Sequence, residues 1–114
     1  MVEWNDGQPI YRQLRDRVVA MIIEGTLAEG DPLPSVRTVA AEYRLNPLTV
    51  LKAYQELAAG ELVETRRGRG MFVRPGARDA LLQGERRKFL EERWPEIRAT
   101  IERLGLNPEE LWEK

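Results

Sequence analysis

Residues 44–60 read RLNPLTVLKAYQELAAG. Asn46 is suited to cap the amino end of a helix, and Pro47 to its first turn, where no backbone N–H is required. Val50, Ala53, Tyr54 and Leu57 recur at helical spacing, and Gly60 is placed to end the helix. Leu48, Lys52 and Gln55 fall on the opposite side and form an exposed, mildly basic front. Just upstream, LPSVRTVAAEY starts a second short helix, with Ser35 as its N-cap and Pro34 and Val39 placed like a hydrophobic staple. Only RLN connects the two. Helices joined by so short a link cross steeply, which is the helix-turn-helix arrangement.

Working outward, Ile10, Leu14, Val18 and Ile22 fall every fourth residue after Pro9, and Gly25 closes a first helix. TLAEGDPLP then reads as a loop, broken by Gly30, Asp31, Pro32 and Pro34. Beyond Gly60 the period changes. LVETR and MFVR are short β-prone runs separated by RGRG, a hairpin signal in which glycine supplies positive φ. Three helices and a two-stranded ribbon make a winged helix over residues 9–74.

PGAR (75–78) is a punctuated hinge, and a helical appendage follows it. Leu90, Trp94, Ile97, Ile101 and Leu104 alternate at four and three residues as an a/d seam, which Phe89 and Leu82 extend towards the hinge. Pro95 predicts a kink or break near Trp94. Gly105 stops the helix, and Asn107-Pro108 caps a last turn or two in EELWEK. The expected fold class is mainly α with a small β-hairpin. A winged helix-turn-helix DNA-binding domain occupies 1–75, with 1–8 as an arm, and a helical dimerisation or effector tail occupies 76–114.

The 114 residues bound this to one small core with an appendage, and chains of this size often gain burial by oligomerising. The net charge of −1 makes no whole-chain case for a polyanion partner. Between Ser35 and Arg74, however, seven bases face four acids, a local +3, and a local patch is what steers DNA. Cysteine and histidine are both absent, which removes disulfides, thiolate metal sites and the commonest general base. The sole serine, Ser35, is a helix cap. Acid pairs such as Glu91/Glu92 alternate with arginines as solvated ion-pair faces. No enzyme, metal or cofactor is expected. Nothing resembles a signal peptide or a membrane span, so the expected location is the cytoplasm, with no membrane partner.

Three places carry candidate DNA contacts. The head of the third helix (Asn46, Pro47, Leu48, Thr49) lies where free N–H groups and the helix dipole favour a phosphate, and where recognition helices meet base edges. Lys52 follows one turn on. Ser35 and Arg37 open the second helix, where a cation opposes the macrodipole unless it faces a phosphate or a guanine edge. The ribbon tip, Arg66-Arg67-Gly68-Arg69-Gly70, is the densest basic cluster and suits a phosphate or a narrow minor groove. Each feature also has a bland reading, as cap, turn or soluble surface. RGRG lacks the spacing of a phosphate-binding P-loop. In the tail, Leu90, Trp94, Ile97, Ile101, Leu104, Leu106, Leu111 and Trp112 are candidates for a two-fold interface, with packing onto the first helix as the alternative.

LPSVRTVAAEYRLNPLTVLKAYQELAAGELVETRRGRGMFV resembles the winged helix-turn-helix of the GntR family of bacterial transcription regulators, and PIYRQLRDRVVAMIIEGTLAEGDPLPSVR extends the match through the first helix. The L-N-P-x-T-V-x-K-A-Y segment and the short helical tail are similar to the YtrA-like subfamily. The resemblance implies a homodimer on an inverted-repeat double-stranded DNA operator, usually a repressor, often of a neighbouring ABC-transporter operon. It implies contacts from Ser35 and Arg37, from Asn46, Pro47, Thr49 and Lys52, and from Arg67 to Gly70 on the wing. Larger relatives commonly carry arginine where this chain has Pro47 and Leu51. Leu48 replaces a residue often polar in the subfamily, and suits a thymine methyl. The tail is too short for the effector-binding domains of larger relatives. A small-molecule effector would have to bind at the dimer interface or between tail and DNA-binding domain. The competing reading is a winged-helix protein-interaction module without DNA function.

Overall fold

The computed structural model of the chain describes residues 3–114. Helix α1 (Ile10–Glu24) starts after Pro9, and its once-per-turn residues Leu14, Val18 and Ile22 are all buried. Gly25 ends it in the left-handed conformation, φ 88°, which glycine adopts without steric cost. Helices α2 (Val36–Tyr43) and α3 (Pro47–Ala59) follow, capped by Ser35 and Asn46 as expected. Arg44 turns the chain between them at φ 55°, and the Leu45 N–H reaches back 2.9 Å to the Ala40 carbonyl. Val50, Ala53 and Leu57 have no accessible surface, so α3 forms the centre on which α1 and α2 pack.

Strand β1 (Val63–Arg66) pairs antiparallel with β2 (Gly70–Val73), with Val63 opposite Val73 and Arg66 opposite Gly70. Val63 and Val73 are the buried ends of this ribbon. The Arg69 N–H donates to the Arg66 carbonyl at 2.9 Å, and Gly68 takes φ 74°, the glycine position of a type II turn.

Two local readings need correction. Residues 30–33 are more than a connecting loop: they run along the outer edge of β2. Gly30 N–H donates to Val73 O (2.8 Å), Val73 N–H to Asp31 O (2.9 Å) and Leu33 N–H to Met71 O (2.8 Å). Pro32 sits opposite Phe72, on an edge where its missing N–H costs nothing. At the end of α3, Gly60 has an ordinary φ of −82°, and Glu61 takes the left-handed conformation at φ 60°. The bonds Leu62 N–H to Leu57 O and Glu61 N–H to Ala58 O, both 3.0 Å, are those of a Schellman ending shifted one residue past the glycine.

Of the expected arm, Met1 and Val2 lie outside the described residues. The rest is tied down. The Gln13 side chain accepts from Asn5 N–H (3.0 Å) and donates to Asn5 O (2.9 Å) and Gln8 O (2.8 Å). Trp4 meets Tyr43 of α2 edge-on, with ring centroids 6.1 Å apart.

The chain divides into two compact units, Met1–Leu81 and Leu82–Lys114, with the division inside helix α4 (Ala77–Lys88). Ala77 is buried in the first unit, and Arg78 Nε donates to the Ile23 carbonyl near the end of α1 at 2.8 Å. In the second unit α4 passes through a π-helical turn (Phe89–Arg93) into α5 (Trp94–Leu104). The break expected from Pro95 takes this form. Proline cannot donate to the carbonyl four residues back and its ring crowds it, so the backbone widens and Trp94 N–H bonds to Phe89 O instead. Gly105 closes α5 at φ 66°, and Asn107 caps the short α6 (Pro108–Leu111).

Candidate nucleic-acid interface

The entry to α2 is held from two sides. Tyr54, buried in α3, donates its hydroxyl to the Pro34 carbonyl at 2.7 Å. Leu33, one residue earlier, is bonded to β2. Burial, and to a lesser degree the neighbouring Tyr43, push the Tyr54 phenol up to about 12, so it remains a hydrogen-bond donor at neutral pH. Ser35, fixed by this junction, accepts from Thr38 N–H at 3.1 Å and bonds the Thr38 hydroxyl at 2.8 Å. The Val36 and Arg37 N–H groups find no acceptor among the described residues. The Arg37 side chain is exposed there and makes no ion pair among them. The start of α2 therefore keeps two N–H donors and a guanidinium turned to solvent, an arrangement suited to a phosphate.

The head of α3 differs from its sequence reading. Pro47 has no N–H, Leu48 N–H is taken by Asn46 Oδ1 (2.8 Å), and Thr49 and Val50 N–H go to the Asn46 carbonyl (2.9 and 3.3 Å). The expected free donors are absent because the cap is complete. Asn46 and Pro47 are exposed and Thr49 is half-buried. The outer stripe of α3 is Leu48, which is 71% exposed, then Leu51, Lys52 and Gln55. The Lys52 ammonium lies 4.1 Å from the centroid of the Tyr11 ring on α1, a close cation–π contact. Glu56, the other charge on the helix, is paired with Arg15 at 3.1 Å.

On the wing, the arginines part company. Arg66 bonds Glu64 through Nη2 (3.2 Å) and Nε (3.4 Å) and stacks over Phe72 at 4.2 Å. Arg67 and Arg69, on either side of Gly68, are exposed and have no acidic partner among the described residues. Gly70, at φ 99°, resumes the strand. Sequence position alone suggested one cluster. The pairing was nonetheless readable, since residues two apart on a strand share a face. The Tyr54 hydroxyl bond was not, because nothing in the helical spacing points to an acceptor 20 residues earlier.

In the tail, Leu90, Trp94, Ile97, Leu104, Leu106 and Trp112 are exposed, and Ile101 and Leu111 are half-buried. The π-turn bond links Phe89 to Trp94, so Phe89, not Leu90, stands one turn below the tryptophan. Among the described residues no group of His, Cys, Asp or Glu could hold a metal, and no helix is long and apolar enough to cross a membrane.

Two packed helices joined by the three residues 44–46, an exposed stripe on the second and a glycine-turned ribbon bearing unpaired arginines define a winged helix-turn-helix of the DNA-binding class. Residues 10–73 match the bacterial regulatory proteins of the gntR family, and the chain belongs to that family. It is 34% identical over 113 residues to the HTH-type transcriptional regulator YhcF of Bacillus subtilis, covering 97% of this chain and 90% of the relative. It is 35% identical over 91 residues to the HTH-type transcriptional repressor YtrA of the same organism, covering 80% and 70%. Among solved structures, a GntR family transcriptional regulator from Listeria monocytogenes superimposes with a TM-score of 0.75 at 29% identity, over 96% of this chain and 95% of that one. The chain is a DNA-binding transcriptional regulator of YtrA-like type, not an enzyme.

Proposed function

We propose that the protein is a dimeric, sequence-specific repressor acting on an inverted-repeat operator. The observation that carries this reading is where three of the exposed, unpaired arginines stand: at the start of α2 and at the wing tip. Arg37, Arg67 and Arg69 are exposed and unpaired among the described residues, while Arg15, Arg66 and Arg98 are bound to carboxylates. Unpaired arginines at the start of α2 and at the wing tip frame α3, the helix that a helix-turn-helix lays in the major groove.

Arg37, with the Val36 and Arg37 N–H groups, holds a phosphate or a guanine edge, and Ser35 fixes that turn. Asn46, Pro47, Leu48 and Thr49 form the groove-facing end of α3, and Lys52, resting over Tyr11, stands beside them. Arg67, Gly68, Arg69 and Gly70 bring the wing against the sugar-phosphate backbone, and Arg66 contributes less because Glu64 already neutralises it. The tail (76–114) joins two copies through Trp94, Ile97, Ile101, Leu104, Leu106, Leu111 and Trp112, with Leu90 at the edge. Half-site spacing then follows from the dimer. Support for repression comes from the similarity to the repressor YtrA. An ABC-transporter operon as target, a small-molecule effector at the dimer interface, and a cytoplasmic location belong to the same reading.

The test is capture of sheared genomic DNA from the source organism by the purified protein at moderate salt. A few enriched loci sharing an inverted repeat support the repressor. Unselective retention that disappears as salt rises replaces it with a winged-helix protein-interaction module. On a captured operator, Arg69→Ala lowers the slope of log affinity against log salt by about 1. Arg66→Ala lowers it less, and Arg37→Ala changes base preference as well as affinity. An unchanged slope without Arg69 removes the wing contact.

A further inference from the structure

We infer that α3 reads its half-site through thymine methyl groups, with Leu48 as the specificity-determining residue. The inference rests on the proposed placement of α3 in a major groove and adds what that helix recognises there.

The helix has little else to offer. Its only cation, Lys52, is drawn back over Tyr11, and its only anion, Glu56, is bound to Arg15. Asn46 spends its carbonyl oxygen on the Leu48 N–H, and Asn46 O takes the next two donors, so no backbone N–H of the first turn is free for DNA. Apart from the Asn46 amide NH2 and the Thr49 hydroxyl at the very start, what remains outward is an apolar pair, Leu48 at 71% exposure and Leu51 at 38%, followed one turn later by Gln55. Leu48 is not needed for the fold: it projects from the first turn, while Val50, Ala53, Tyr54 and Leu57 fill the core.

The major groove has a single strongly apolar feature, the C5 methyl of thymine. Guanine presents two acceptors, which an aliphatic side chain leaves unpaired at a cost. Leucine at the tip of a reading helix therefore favours thymine and disfavours guanine. Gln55 adds the donor–acceptor pair that matches adenine N6 and N7. The arginines stand outside the helix, on α2 and on the wing, so affinity for phosphate and reading by α3 are carried by separate residues.

The experiment begins with selection of duplexes from a random library by the full-length protein. Each thymine of the selected half-site is then replaced in turn by deoxyuridine, which removes the methyl and leaves base pairing intact. At one or two positions the wild type should lose affinity about four-fold per methyl, the factor for burying one such group. Leu48→Ala should bind the thymine and uracil duplexes alike, while still binding DNA through the unchanged arginines. Equal wild-type affinity for thymine and uracil at every position overturns the inference, as does full discrimination by Leu48→Ala. Selection that returns no common half-site overturns the groove placement itself, and with it the inference.

Discussion

Leu57, at the centre of the first unit, has no accessible surface, whereas Trp112 in the second keeps 94% of its own exposed. The contrast runs through both regions. Every buried hydrophobic residue among those described lies at or before Ala77, and none lies beyond it. The first unit encloses Val50, Ala53, Leu57 and Val73 completely, ties its arm down through Gln13, and anchors the start of α4 through Arg78. The second has caps at Gly105 and Asn107 and an Arg98–Glu102 ion pair at helical spacing, yet leaves Phe89, Trp94 and Ile97 facing solvent. Helical caps and exposed pairs contribute only tenths of a kcal/mol to about one each, too little to order a short segment without apolar burial. One region is a finished fold; the other leaves an apolar stripe in solvent, as the proposed dimer requires.

The largest expected effect comes from breaking the proposed dimer. Ile97→Glu with Ile101→Glu should give a monomer by light scattering, with operator affinity down by two to four orders of magnitude, because the second half-site is no longer delivered by linkage. A variant that stays dimeric and binds normally would show that the tail's stripe is not the contact. In the first unit, Leu57→Ala should cost about 2–5 kcal/mol in urea denaturation followed by circular dichroism. The tail substitutions should leave the first unit's transition close to wild type. If both sites destabilise it equally, the two regions are not independent.

Alkali sharpens the comparison further. The Tyr54 phenol titrates near 12 in the fold against about 10 when unfolded, so its contribution is complete below pH 10 and is lost as pH rises through 12. That loss is roughly 2–3 kcal/mol at 1.36 kcal/mol per pH unit. Tyr54→Phe should therefore be less stable than wild type at pH 8, with the gap closing between pH 10 and 12. A constant gap would mean that the phenol is not perturbed. The smallest effect is at Glu61: Glu61→Gly should stabilise the first unit by about 0.5–1 kcal/mol, by relieving a left-handed residue that is not glycine.

Much of this was legible in the sequence. Pro47 after Asn46, Ser35 before a short apolar run and the RGRG turn are local signals, and the helices, their caps and the hairpin all depend on local chemistry. The misses depend on contacts between distant residues or on competition within a turn. Pro32 reads as a breaker, yet it occupies the one edge of β2 where a proline fits. Gly60 reads as the end of α3, but the Schellman bonds fall one residue later and leave Glu61 in the strained position. Pro95 announces a break without specifying that a π-turn will absorb it and bring Phe89 under Trp94. In the candidate site, Ser35 caps α2 as the sequence suggested, and Arg37, Arg67 and Arg69 are exposed. The free donors at α3 were lost to Asn46, and Arg66 was lost to Glu64.

The distribution of tryptophan has a spectroscopic consequence. Trp4 is half-buried against Tyr43, while Trp94 and Trp112 belong to the tail, one on its apolar stripe and one almost wholly in water. Trp112 should emit like indole in solution and be open to acrylamide. Trp94 should shift to the blue when its stripe is covered. A Trp94→Phe, Trp112→Phe chain would report the arm alone. The molecule thus carries one optical label for the packing of Trp4 on Tyr43 and others for the proposed meeting of its tails, with no dye attached.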